Sequence, residues 1–183
     1  MKKLSTRTRV VTGAVAVAAV GASVVGAVSA NAETPQAPAV AKVDTAKSYT
    51  METSHLTVEA ATKAAQVTID TAEKAGQHVS VAVVDRNGTV IVQLRGDGAG
   101  PQSFESAQRK AFTAVSWNAP TSELAKRLAQ APNLKDIPGT LFLGGGAPVQ
   151  LKGAPIAGIG VAGAPSGDQD EQFAQAGVAA LGK

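Results

Sequence analysis

The chain has 183 residues, with 17 Lys and Arg against 14 Asp and Glu, a formal charge of +3, and no cysteine. The lack of thiols excludes cysteine catalysis, Cys-rich zinc centres, disulfide stapling and covalent Cys-x-x-Cys-His haem attachment. Four of the bases and none of the acids fall in residues 1–32, so the rest of the chain carries 13 bases against 14 acids and offers no electrostatic case for nucleic acid.

At the N-terminus, Lys2, Lys3, Arg7 and Arg9 precede an Ala/Val/Gly run from Val10 to Val28, and Ala30-Asn31-Ala32 supplies a small-x-small exit. Basic start, apolar middle and small-residue exit make an export signal, with cleavage expected after Ala32. The run is long enough to span a bilayer, but Gly13, Gly21 and Gly26 weaken it as a permanent anchor. With no Arg-Arg pair, the general secretory route is expected, and with it a secreted protein. The stretch 33–53 begins rich in Pro, Ala, Thr and Lys and reads as a flexible arm. Residues 54–183 are expected to form one domain, an ordinary size for a single core.

Within that domain, Thr57 is placed to cap a helix running to about Ala75, with Ala61, Ala64, Ala65, Thr68, Ile69, Ala72 and Ala75 as its buried stripe. Val79–Val84 and Thr89–Leu94 are strand-like runs joined through Asn87-Gly88, a hairpin signal because both residues tolerate positive φ. A helix is expected from about Ser103 to Trp117, stopping before Pro120, and a shorter one from a Thr121 cap to Gln130. Thr140–Leu143, Val149–Leu151 and Ile156–Val161 read as three more strands, separated too briefly for parallel crossovers. Ser166 with Gln169 makes a capping box for a last helix to about Leu181. The order predicts α+β, with a five-stranded antiparallel sheet flanked by helices.

Two motifs resemble nucleotide sites without their context. Gly158-Ile159-Gly160-Val161-Ala162-Gly163 matches G-x-G-x-x-G, but its glycines fall inside a strand and Pro165 follows. Bare backbone there instead permits close approach by a helix or ligand. Gly177–Lys183 has the spacing of a phosphate loop but lacks the following hydroxyl residue and falls in a helix. The two histidines, His55 and His78, sit at opposite ends of the first helix and read as surface residues.

The helix from Ser103 carries the most chemistry. Phe104, Ala107, Ala111, Ala114 and Val115 form its core stripe. A second stripe holds Ser106, Arg109, Lys110, Thr113 and Trp117. Two readings of that stripe stand side by side: an ordinary solvated face, or a site where cations meet haem propionates, the indole stacks and the Thr113 oxygen approaches iron. On the first helix, Asp70 and Glu73 share a face and are either a solvated pair or a grip for a hard cation such as ferric iron.

Seven segments in order carry a resemblance. They are Val79–Asp85 with Asn87-Gly88, Asp97-Gly98-Ala99, Lys110–Ala114, Pro120–Leu124, Gly144–Pro148, Gly158–Gly163 and Asp168–Glu171. Over about residues 54–182 the chain resembles the HbpS/GlcG-like haem-binding family. The resemblance implies a profilin-like sheet, a homo-oligomer (an octamer in one member) and non-covalent haem binding with Thr113 at the haem. It also implies surface iron binding through acidic pairs of the Asp70/Glu73 type, and a membrane sensor kinase as partner in haem and oxidative-stress sensing. Some relatives use a histidine ligand, which keeps His55 open. The family's haem-degrading label and its glycolate-operon members keep an enzyme and a binder of small organic acids open as alternatives.

Overall fold

Thr57 opens the first helix by accepting the Ala60 amide at 3.2 Å, which satisfies one of the amides that a helix start leaves without a partner. The computed structural model describes residues 43–182, so the expected signal peptide and residues 33–42 of the arm lie outside the described residues. Helix α1 spans Val58–Lys74 and buries Ala61, Ala64, Ala65, Thr68, Ile69 and Ala72 of the expected stripe; Ala75, expected with them, is the exposed C-cap, because the helix ends before it. Strands β1 (Ser80–Asp85) and β2 (Val90–Arg95) form the expected hairpin, and the Asp85 carboxylate accepts the Asn87 and Thr89 amides in the turn. Helix α2 runs Pro101–Trp117, with proline at the start where its missing N–H costs nothing. Helix α3 (Thr121–Lys126), β3 (Gly146–Leu151), β4 (Ala154–Ala162) and α4 (Gly167–Ala179) follow.

Among the described residues four strands form one antiparallel sheet in the order β2-β1-β4-β3. Alternation along the strands sends Val81, Val83, Ile159 and Val161 to a core shared with Ala64 and Ala65 of α1 and Phe173 and Ala174 of α4. Ala82 and Val84 point the other way, toward Ala107, Ala111 and Val115 of α2. The sheet therefore lies between α1 and α4 on one face and α2 on the other.

The expectation of five strands is corrected to four. Thr140–Leu143 is not a strand, because side chains of α2 take its backbone groups. The Arg109 guanidinium donates to the Thr140 carbonyl, and the Leu141 amide donates to the Thr113 hydroxyl. Two further readings change. Helix α3 ends at Lys126, and Arg127–Ala129 tightens into a 3-10 turn. Thr121 does not cap it; its hydroxyl accepts the Gly146 amide from β3 instead.

Gly158 and Gly160 of the G-x-G-x-x-G run lie in β4, as expected, and their role is packing, whereas Gly163 falls just past the strand at φ +130°. A Cβ on Gly160 would strike the Ala107 carbonyl and the Ala111 backbone, and one on Gly158 would strike the Ala111 carbonyl. Helix α2 thus rests directly on bare strand backbone.

Candidate functional site

The stripe of α2 does not lie open to solvent. Lys110 is buried, and its ammonium donates to the Asp170 carboxylate at 2.8 Å and to the Val161 carbonyl at 2.9 Å. The other Asp170 oxygen accepts the Ala164 amide at 3.0 Å. Burial pushes the Asp170 carboxyl above its ordinary value, and the Lys110 charge opposes that push only in part. The ion pair ties α2 to the end of β4 and the first turn of α4. Phe104, expected in the core, is instead 41% exposed. The buried arc of α2 is rotated toward Lys110 and Thr113, because α4 and the loop after α3 cover that flank.

Thr113 is fully buried. Its hydroxyl donates to the Arg109 carbonyl one turn back at 2.8 Å and accepts the Leu141 amide at 2.8 Å. The Arg109 guanidinium donates to the neighbouring Thr140 carbonyl at 2.7 Å. Its other face is solvated, 3.9 Å from Glu105, and the side chain stays 41% exposed. Trp117 is half-buried and meets Phe142 edge to face, ring centres 5.2 Å apart. Leu128 and Leu134 pack against the same small cluster.

Arg109, Thr113 and Trp117 therefore do come together, but beneath a strap of chain. Ile137-Pro138-Gly139-Thr140 makes a turn closed by the Thr140 amide on the Ile137 carbonyl, with Gly139 at φ +78°. The turn passes over Phe112; a Cβ at Gly139 would sit 3.7 Å from its ring.

Glu171 escaped the sequence reading. Buried on α4 just past its first turn, its carboxylate accepts the Ser122 hydroxyl at 2.6 Å, the Ser122 amide at 2.9 Å and the Gly145 amide at 3.3 Å. It supplies the N-terminal acceptor that α3 lacks locally. The signal was present in the acid-rich run Asp168–Glu171, but an acid in a first helical turn is ordinary.

On α1, Asp70 is half-buried and accepts a hydrogen bond from Gln66 at 2.7 Å, while Glu73 is exposed. Glu73 borders a small cleft with Gln77, His78 and Asp97. Among the described residues no group of three or more His, Asp or Glu is arranged to hold a metal ion. His55 is exposed ahead of α1, its ring nitrogen 2.9 Å from the Thr53 hydroxyl.

A family model described as haem degrading protein HbpS-like matches residues 56–179. The chain belongs to the HbpS-like family. A double mutant of HbpS from Streptomyces reticuli has a solved structure 72% identical to this chain, covering 80% of it and 100% of its own length, with a TM-score of 0.78. A structure of HbpS itself is 73% identical over 77% of this chain and 100% of its own, at a TM-score of 0.76. A third, titled a PduOC:haem complex, is 28% identical, covers 69% of this chain and 95% of its own, and reaches 0.64. No curated protein gives a significant match. The family match takes in α1 through α4, and so every residue of the α2 flank and of Asp70/Glu73.

Proposed function

We propose that this HbpS-like protein is an exported haem-binding protein that takes its ligand without covalent attachment on the α2 flank. The observation that carries the reading is family membership together with a similar structure described as a haem complex. The residues present fit haem in part. Arg109 offers a half-exposed guanidinium suited to a propionate, and Trp117 with Phe142 offers aromatic surface. Thr113 adds a neutral hydroxyl. Lys110 leaves the set of propionate partners, since its charge is spent on Asp170. Bound haem supplies redox chemistry at its iron; the chain's contribution is to hold it, exclude water from one face and neutralise its carboxylates.

Titration of residues 33–183 with hemin, followed in the Soret band, tests this. A saturable shift, weakened in Thr113→Ala and unchanged in His55→Ala, is the expected result. An equal loss in His55→Ala moves the site to the N-terminal side of α1, and no saturable shift removes haem altogether.

A degrading activity is the second reading, favoured by the family's description. Loss of the Soret band over many turnovers, with reductant supplied and catalase present, would establish it. Ferric iron at Asp70 and Glu73 is a weaker, separate proposal. The Streptomyces reticuli variant alters two glutamates three positions apart, the spacing of Asp70 and Glu73. Two carboxylates leave most of the coordination sphere to water. Ferric binding unaltered in Asp70→Ala, Glu73→Ala would end that assignment.

The wider role proposed is that of an accessory to a membrane sensor kinase, acting as a homo-oligomer outside the cytoplasm and reporting haem or oxidative stress. Binding of the haem-loaded and haem-free forms to the kinase's external domain separates a sensor from a protein that meets the kinase regardless of ligand.

A further inference from the structure

We propose that the haem site is cryptic, and that the strap Ile137–Leu141 is its lid; this rests on the haem reading above. Thr113 is fully buried, so no ligand reaches its hydroxyl while the Leu141 amide occupies it. The same strap uses the Arg109 guanidinium through the Thr140 carbonyl. Both polar groups suited to a carboxylate-bearing ring are thus engaged by two consecutive backbone groups of one segment.

The strap's buried anchors are confined to its C-terminal end, Thr140 with half-buried Leu141 and the following Phe142; the chain leading into it is exposed. Every residue from Ala129 to Gly139 is exposed except Leu134, which is half-buried. Ile137 is 40% exposed and Leu143 57%, so the segment turns apolar side chains outward. Few buried contacts and a handful of side-chain hydrogen bonds mark a segment that opens at low free-energy cost. By contrast α2 rests on the bare glycines of β4 and is pinned by Lys110 to Asp170. Helix α2 stays and the strap lifts. Beneath it lie Phe112, Thr113 and Arg109 along one helix, with Trp117 a turn further on. That surface is apolar and aromatic with one cation and one hydroxyl. It suits a flat apolar ring bearing carboxylates. The two α2 groups then exchange backbone partners for ligand, and the cost of lifting the strap is charged against affinity.

Two variants weaken the latch in different ways. Thr113→Val keeps the shape and removes the acceptor for Leu141. Gly139→Ala forces a left-handed turn position onto a residue with a Cβ and touches no proposed ligand group. Each is expected to speed hemin association roughly fivefold in stopped-flow mixing, the effect of losing about one hydrogen bond from the closed state. Hydrogen exchange at the Leu141 amide should be slow in the haem-free protein and at least about tenfold faster once hemin saturates, since it loses its acceptor. Unchanged far-UV dichroism would show that both variants fold. A saturating Soret shift with Leu141 protection and association rates all unchanged overturns the lid and leaves haem binding standing. Absence of any Soret shift in the unmodified protein overturns both.

Discussion

Lys110 shows how one side chain changes meaning when its neighbours are known. Three and four residues from its companions on a helix, it reads as part of a charged face; in the fold it is the buried half of an ion pair with Asp170. Removing one member of such a pair leaves an uncompensated charge in a medium that solvates it poorly. Lys110→Met should therefore cost about 3–5 kcal/mol at neutral pH, read from urea denaturation. The pH dependence has a definite sign. The Asp170 carboxyl lies above its ordinary 3.8, so the folded chain holds that proton more tightly than the unfolded one. Its contribution favours the fold below 3.8 and is lost as pH rises through the folded value. Lys110→Met steepens this slope, so its cost should shrink as pH falls and the carboxyl takes a proton. A cost that is flat with pH would mean that Asp170 has found another counter-charge.

Glu171 makes a second residue-scale case, since a single carboxylate serves Ser122 and Gly145. Glu171→Ala leaves those donors without their acceptor and should destabilise by about 2–4 kcal/mol. Faster amide exchange should be confined at first to 121–131 and 144–146. Neither partnership is legible in a single sequence, because Lys110 and Asp170 lie 60 positions apart and Ser122 and Glu171 49, and nothing in local spacing marks them.

At the scale of elements, the sequence was most informative where physics is local. The Thr57 and Ser166 caps, the Asn87-Gly88 hairpin and the stripe of α1 follow from hydrogen-bond geometry and periodicity, and all are present but for Ala75 at the end of the stripe. Thr140–Leu143 has strand-like residues but does not join an edge of the sheet. The Thr140 carbonyl and the Leu141 amide meet α2 side chains instead. The glycines of β4 were read correctly as a place of close approach, and what approaches is α2. Gly160→Ala should force the helix off the sheet, costing about 3 kcal/mol or more, which lowers Tm by roughly 10 °C. An unchanged Tm would show that α2 can shift without loss. For the candidate site, helical spacing grouped Arg109, Thr113 and Trp117 correctly. It could not reveal the strap above them, since a loop's path over a helix leaves no periodic trace.

For the whole molecule, a helix from each end of the described chain packs on one face of the sheet while α2, with Thr121 of α3 beside it, covers the other. Residues 33–183, proposed as the exported form, carry 13 bases against 14 acids, so hemin binding should depend little on general attraction. Raising salt should weaken affinity only to the extent that Arg109 meets a carboxylate, a modest and screened effect. N-terminal sequencing of protein recovered from culture medium should begin at Glu33. Protein found only in membranes and still carrying residues 1–32 would instead assign that run an anchoring role.

The sheet order carries a consequence for how the chain comes into being. Central strand β1 pairs on one side with β4, so Ser80 waits for Ala162 before its ladder is complete. Helix α1 likewise waits for α4 to complete its half of the core. A chain still growing on the ribosome can form the β1–β2 hairpin but cannot close its core until nearly all of it has been made. Non-local closure of this kind delays folding. The export proposed above would benefit from that delay, because the chain would reach the channel before it has a fold to undo. Nascent chains stalled at residue 150 should accordingly be cut rapidly by protease, whereas those released after residue 183 should resist.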